Sequence, residues 1–125
     1  MNKKYVNEII TNVSEIDHLT KTEASIEFTV PDDLFWFKGH FPSQPLLPGV
    51  VQLNWAIYYA NQIFGKKFNL ISIDIVKFQC PVLPNDPIIL NLVWHKQSNK
   101  LEFKYTITNN DSLKVASSGK LTLCQ

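Results

Sequence analysis

PGVVQLNWAIYYANQIFGKK, residues 48–67, is the stretch that decides the fold. From Gly49 to Phe64 it carries no charged side chain, and its residues suit a helix. Gly65 closes that helix, and Lys66 and Lys67 then stand at its negative end. Nearly every face is apolar, and the clearest polar stripe is Asn54, Tyr58 and Asn61, at i, i+4 and i+7. A helix of this kind must be enclosed on most sides. Lipid is the wrong enclosure. A spanning helix needs ~20 mainly apolar residues, and Gln52, Asn54, Asn61 and Gln62 would be costly there. The reading is a helix buried inside a soluble protein, with no membrane partner.

The rest of the chain supplies the wrapping. Residues 8–16 are a weakly patterned strand candidate. Residues 22–30 alternate cleanly, with Ala24, Ile26, Phe28 and Val30 on one face and Glu23, Ser25, Glu27 and Thr29 on the other. A long segment follows in which Pro31, Pro42, Pro45 and Pro48 exclude a regular helix or a central strand. Its Phe, Trp and Leu content implies a loop that packs down. Beyond the helix, residues 70–80, 88–96, 101–109 and 114–123 read as strands, with Ile71, Ile73 and Ile75 in phase and Lys77 out of phase. PVLPNDP is a turn cluster, and QSNK and NNDS are hairpin-type connectors. The expectation is an α+β fold in one domain over residues 1–125: one long buried helix wrapped by a curved antiparallel β-sheet.

Composition narrows the function. The chain has 125 residues, is 45% hydrophobic and carries a formal net charge of +1. A core can form, and no strong field for a polyanion exists, so nucleic acid is excluded as the main partner. Cys80 and Cys124 match no metal spacing and are too few for a disulfide framework, which implies reduced, partly buried thiols and a cytoplasmic location. The basic N-terminus lacks a following apolar run and reads as neither signal peptide nor anchor.

The segment GHFPSQPLLPGV, residues 39–50, carries the chemistry. Gly39, His40, Phe41, Pro42, Pro45, Pro48, Gly49 and Val50 resemble the signature of the beta-hydroxyacyl-acyl-carrier-protein dehydratases, which are hot-dog proteins. A second match lies in FQCPVLPNDPI, through Phe78, Pro81, Val82, Pro84 and Asp86, with Asn85 in place of the family's glycine. PGVVQLNW also resembles the shorter dehydratases of aryl-polyene-type lipid pathways, whose helix has aspartate where this chain has Asn54. The resemblance implies the hot-dog fold and a homodimer or higher oligomer. It also implies loss of water from a 3-hydroxyacyl thioester on acyl carrier protein, giving the trans-2-enoyl product, with no cofactor and no metal.

The residue types suit that chemistry. A proton must leave C2, and a base of near-neutral pKa is needed, which fits His40. Enolate charge develops on the thioester oxygen, and Gly49 opens a helix whose first N–H groups and dipole favour negative charge. Phe41, Pro42, Leu46, Pro48, Val50 and Tyr58 are the expected substrate-binding residues, with Leu46 to Gly49 and the helix bordering an acyl tunnel.

The departing hydroxyl needs a proton, and the resemblance implies a helix acid from the partner subunit at the place of Asn54. An amide donates a hydrogen bond but no proton, and general acid catalysis contributes about 10²–10⁴. Tyr58 stands where the family has glutamine, and a phenol of pKa about 10 is a weak acid. Three readings of Asn54 stay open: a substituted aspartate that leaves a slow dehydratase, a His40 that moves both protons, or acyl binding without reaction. Asn54 also reads equally well as a buried amide satisfying nearby backbone.

The alternatives are a non-catalytic acyl-thioester-binding or assembly subunit and a hot-dog acyl thioesterase. His18 and His95 read as surface or strand residues. Phe35, Trp36, Phe37, Trp55, Tyr59 and Trp94 read as packing, and Lys66, Lys67 and Lys77 as a solvated face. The histidines and cysteines have no zinc-like spacing, and no nucleophile elbow appears.

Overall fold

The computed structural model describes residues 10–33, 46–109 and 112–124. The elements run β1 (Ile10–Asp17), β2 (Lys21–Thr29), α1 (Gly49–Phe64), β3 (Asn69–Phe78), β4 (Pro87–His95), β5 (Lys100–Asn109) and β6 (Ser112–Cys124). The six strands form one antiparallel curved sheet in the order β1-β2-β4-β5-β6-β3, with α1 packed against it. This is the hot-dog fold. His40, Phe41 and Pro42 lie outside the described residues, as do Phe35, Trp36 and Phe37.

Alternation builds the inner face of the sheet. Ala24, Ile26 and Phe28 from β2 are buried together with Ile88, Leu90, Leu92 and Trp94 from β4 and Leu101, Phe103, Tyr105 and Ile107 from β5. Against them α1 buries Val51, Gln52, Trp55, Ala56, Tyr59 and Ala60. Trp55 meets Phe28 edge-on at 6.1 Å between ring centroids, and Tyr59 stacks on Trp55 in the same manner at 6.4 Å. Ala56 and Ala60 have no exposure, so small side chains let the sheet approach the helix closely.

Both helix ends follow their sequence signals. Pro48 is the N-cap residue. Gly65 takes a left-handed φ of 65° and its N–H donates to the Asn61 carbonyl. Asn61 Oδ1 also accepts from the Phe68 N–H at 2.8 Å, which turns the chain into β3.

β3 departs from a half-buried strand. It is an edge of the sheet, and none of its residues is fully buried. Register shifts between Leu70 and Ser72 and between Ile73 and Ile75 break the two-residue alternation, which accounts for the out-of-phase Lys77. Gly119 of β6 permits the close approach there: a Cβ would lie 2.7 Å from the Ile75 carbonyl oxygen and 2.7 Å from Phe103 Cε2. Cys80 is half-buried, whereas Cys124 is exposed rather than partly buried, because it ends the last strand. Both thiols are free.

Asp74 staples this edge. Its carboxylate accepts from Lys100 Nζ at 2.7 Å, from Thr122 Oγ1 at 2.8 Å and from Ser72 Oγ at 2.9 Å. The Lys100 ammonium first, then the two hydroxyls, lower its pKa from 3.8 to about 2. A folded value below the unfolded one stabilises above pH 3.8, and that contribution disappears as pH falls toward about 2. Asp74→Asn is expected to lower the melting temperature above pH 3.8 and to leave it little changed at about pH 2, which flattens the acid limb between them, as checked by thermal denaturation across that range.

Candidate active site

The helix start is built from three segments that hold one another. Leu47, on the approach to α1, donates its N–H to the Val82 carbonyl at 2.8 Å. Val82 is buried and begins the turn before β4. That turn is closed by Asp86, whose Oδ2 accepts the Leu83 N–H at 2.8 Å, and by Asn85 at a left-handed φ of 69°. A glycine suits that φ, and asparagine is among the few other residues that tolerate it. The turn is tied to the end of β2, with the Val30 N–H donating to the Asp86 carbonyl at 2.9 Å and the Asn85 N–H to that of Val30 at 2.8 Å.

Beside this frame lies an open, mainly apolar cavity of about 360 Å³. It is lined by Leu46, Leu47, Gly49 and Gln52 on one side and by Phe78, Gln79, Cys80 and Pro81 on the other. A larger hollow of about 550 Å³ lies on the outer face of the sheet among Lys77, Glu102, Lys104 and Lys120, away from α1. The smaller one adjoins the helix start, where backbone N–H groups have no carbonyl one turn back. The helix start therefore favours chemistry that develops negative charge beside an apolar wall.

Gly49 and Phe78 share the mouth of this cavity. A Cβ at Gly49 would lie 2.6 Å from Phe78 Cζ, so the ring rests where a side chain would stand. Phe78 is 54% exposed and free to yield on its outer side.

The structure brings together only part of the expected set. Leu46 and Gly49 line the cavity. Pro48 caps the helix and is half-buried, Val50 is 71% exposed, and neither lines it. Tyr58, half-buried one turn beyond Asn54, accepts from Gln62 Nε2 at 2.7 Å. Asn54 is exposed on the side of α1 away from the sheet, which overturns its reading as a buried amide. The buried amide is Gln52. Residues two apart on a helix stand about 200° apart, so one faces in when the other faces out. That spacing was the signal for Gln52.

Gln52 is 3% exposed and is bonded through both ends of its amide. Its Nε2 donates to the Leu47 carbonyl at 3.1 Å, and its Oε1 accepts from Ser117 Oγ at 2.6 Å. Its backbone carbonyl accepts from the Tyr105 hydroxyl at 2.7 Å. Burial, then the neighbouring Tyr59, push the Tyr105 phenol well above its ordinary value, so it stays a donor.

His18 contacts Glu23 at 3.0 Å, and His95 lies 3.5 Å from Glu102, both away from the cavity. Trp55, Tyr59 and Trp94 are buried packing residues. Lys66, Lys67 and Lys77 are exposed. Among the described residues no group of three or more His, Cys, Asp or Glu side chains is placed to hold a metal ion. No helix among them is long and apolar enough to cross a membrane.

Comparison with known proteins fits this geometry. The ApeI-like family, described as ApeI dehydratase, matches residues 15–120. The chain belongs to the ApeI-like dehydratase family. Its fold superimposes with a TM-score of 0.81 on the dehydratase heterocomplex ApeI:P from Xenorhabdus doucetiae, at 35% identity over 94% of this chain and 97% of that one. An uncharacterized protein from Erwinia carotovora subsp. atroseptica gives a TM-score of 0.87 at 38% identity, over 93% and 94% of the two chains. The 3-hydroxyacyl-[acyl-carrier-protein] dehydratase FabZ of Ehrlichia chaffeensis is 35% identical over 75 residues, 55% of this chain and 52% of that protein. The match thus spans about half the length of such curated relatives. An acyl-CoA hydrolase mutant from Staphylococcus aureus shares the fold alone, with a TM-score of 0.58 at 16% identity.

Gly49→Ala is expected to push the Phe78 ring off the helix end. In a double-mutant cycle with Phe78→Ala, the two changes should couple by about 0.5–3 kcal/mol, with the alanine at 49 costing less once the ring is gone. Urea denaturation of the four proteins measures this, and additivity would show that the two residues do not meet.

Proposed function

We propose that this protein dehydrates a 3-hydroxyacyl thioester carried on acyl carrier protein to the trans-2-enoyl thioester, acting as a dimer in the cytoplasm in fatty acid or related lipid biosynthesis. The observation that carries the reading is the start of α1 at Gly49, bordering an apolar cavity wide enough for an acyl chain. Membership of the dehydratase family supports it.

In this mechanism His40 takes the C2 proton, and the electron pair left on C2 is shared with the thioester oxygen. The Gly49 N–H donates to that oxygen as its negative charge grows. The pair then forms the C2–C3 double bond as the C3–O bond breaks. The leaving hydroxide takes a proton from the His40 imidazolium and departs as water, which returns the imidazole to its starting state. Asn54 of the neighbouring subunit donates an N–H to the hydroxyl and orients it, without supplying a proton. The reaction is therefore slower than with a carboxylic acid at that place. Leu46, Pro48 and Val50, with Phe41, Pro42 and Tyr58, flank the acyl chain across the dimer.

The dimer reading rests on β3. Leu70, Ile71, Ile73, Ile75 and Phe78 are all at least 44% exposed on one edge strand. An apolar edge with free backbone groups is costly to leave open, and a second copy of the same strand laid antiparallel satisfies it symmetrically. Ile73→Lys/Ile75→Lys is expected to yield a folded monomer with no dehydratase activity. Sedimentation velocity is the check, and a variant that stays dimeric overturns the arrangement.

A second reading is favoured by the amide at 54: an acyl-binding subunit that assembles without catalysis. Assays with 3-hydroxyacyl and 2-enoyl thioesters separate the two. The proposed enzyme should interconvert them slowly, and Asn54→Asp should raise the rate about 10²–10⁴-fold. Acyl binding with no turnover in either protein establishes the second reading, and free thiol without enoyl product would mark a thioesterase.

A further inference from the structure

The buried amide of Gln52 is an anomaly in α1. Its neighbours on the inner side are Val51, Trp55, Ala56, Tyr59 and Ala60, and an apolar side chain of its size would fill the space but leave the Leu47 carbonyl and the Ser117 hydroxyl without this partner. Replacing a buried amide together with its partners by apolar groups of the same shape is close to neutral for stability. Burial alone therefore gives no reason for glutamine here. What it does and an isostere does not is grip two places at once, through the bonds to the Leu47 carbonyl and the Ser117 hydroxyl.

Both grips bear on the helix start. Leu47 immediately precedes Pro48 and Gly49, and its N–H is already held by Val82. With the Leu47 carbonyl held by Gln52, the residue before Pro48 is held through both its N–H and its carbonyl. Ser117, with no exposure, pairs with Phe78 across the β3–β6 ladder, and Phe78 overlies Gly49. Gln52 thus ties the two walls of the cavity together, while Tyr105 clamps its backbone carbonyl from β5.

We infer that Gln52, held by Ser117, is a positioning residue that sets the aim of the Gly49 N–H toward the thioester oxygen. The inference rests on the dehydratase reading above. Its effect falls on the transition state, where charge on that oxygen is greatest, and spares binding of the ground state.

The test compares the full-length protein with Gln52→Met, which keeps length and packing but loses both side-chain bonds, and with Ser117→Ala. Steady-state kinetics on a 3-hydroxyacyl thioester are run beside the ¹H–¹⁵N shift and hydrogen exchange of the Gly49 amide. The expected result is a kcat lower by on the order of tenfold with KM within about twofold, and a Gly49 amide that shifts and exchanges faster. The double variant should be no worse than Gln52→Met, since both remove the same tie. An unchanged kcat and Gly49 amide in folded Gln52→Met overturns the inference, as does a raised KM at constant kcat, which would make Gln52 a substrate contact. If Gln52→Met fails to fold, Ser117→Ala is judged by the same criteria. If neither the wild-type protein nor Asn54→Asp shows turnover, the dehydratase reading falls, and the Gly49 amide alone then decides: a change supports the tie, and its absence refutes it.

Discussion

Everything in this structure follows from the need to bury one side of an uncharged helix. Trp55 and Tyr59 are almost wholly out of water, and large aromatic side chains of this kind each contribute on the order of 2–3 kcal/mol when buried. A flat sheet would cover one narrow stripe. Covering Val51, Gln52, Trp55, Ala56, Tyr59 and Ala60 together requires strands that curve around the helix. The antiparallel order β1-β2-β4-β5-β6-β3 does so with short connections after the helix, and leaves β3 at the edge beside the helix start. The place where the chain enters the helix and the place where the sheet ends are therefore the same place.

That coincidence explains why two distant stretches of sequence carry one site. Residues 46–49 and 78–86 are separated by the whole helix and β3, yet the Leu47–Val82 hydrogen bond joins them. The second stretch is a platform. Its prolines, its left-handed Asn85 and the Asp86 cap make a turn with little freedom, and that turn is bonded to Val30 at the end of β2. The helix start is thereby referenced to β2, beside the opposite edge strand β1, as well as to the edge at β3. Hydrogen bonds among three segments of the chain thus hold the helix start.

Much of this was legible from residue order. The alternation of Ala24, Ile26, Phe28 and Val30 placed β2 correctly, and Gly49 and Gly65 marked the helix ends because backbone rules there are local. β3 was harder. Its isoleucines gave the strand but not its exposure, since bulges broke its period and its edge position depends on the order of all six strands. At the site, the local motif pointed to Gly49 and Leu46, which do line the cavity. It gave no hint of Phe78 over Gly49 or of Gln52 bonded to Ser117, because those contacts join residues 29 and 65 positions apart. His40 falls outside the described residues, so its place rests on sequence alone.

Two of the side-chain amides of α1, Gln52 and Asn54, face opposite ways. Gln52 faces the sheet and is held by bonds from two strands and the preceding loop, so its environment is complete within one chain. Asn54, about 200° around the same helix, faces away from the sheet beside the exposed Val50. A side chain at 54 meets a low-dielectric, water-poor surrounding only when another surface covers it. A polar contact made from that position gains from burial, because exclusion of water strengthens it. The residue at 52 is thus selected by the fold of the chain itself, and the residue at 54 by whatever closes over it. This asymmetry keeps the inner amide fixed by the fold whatever side chain stands at position 54.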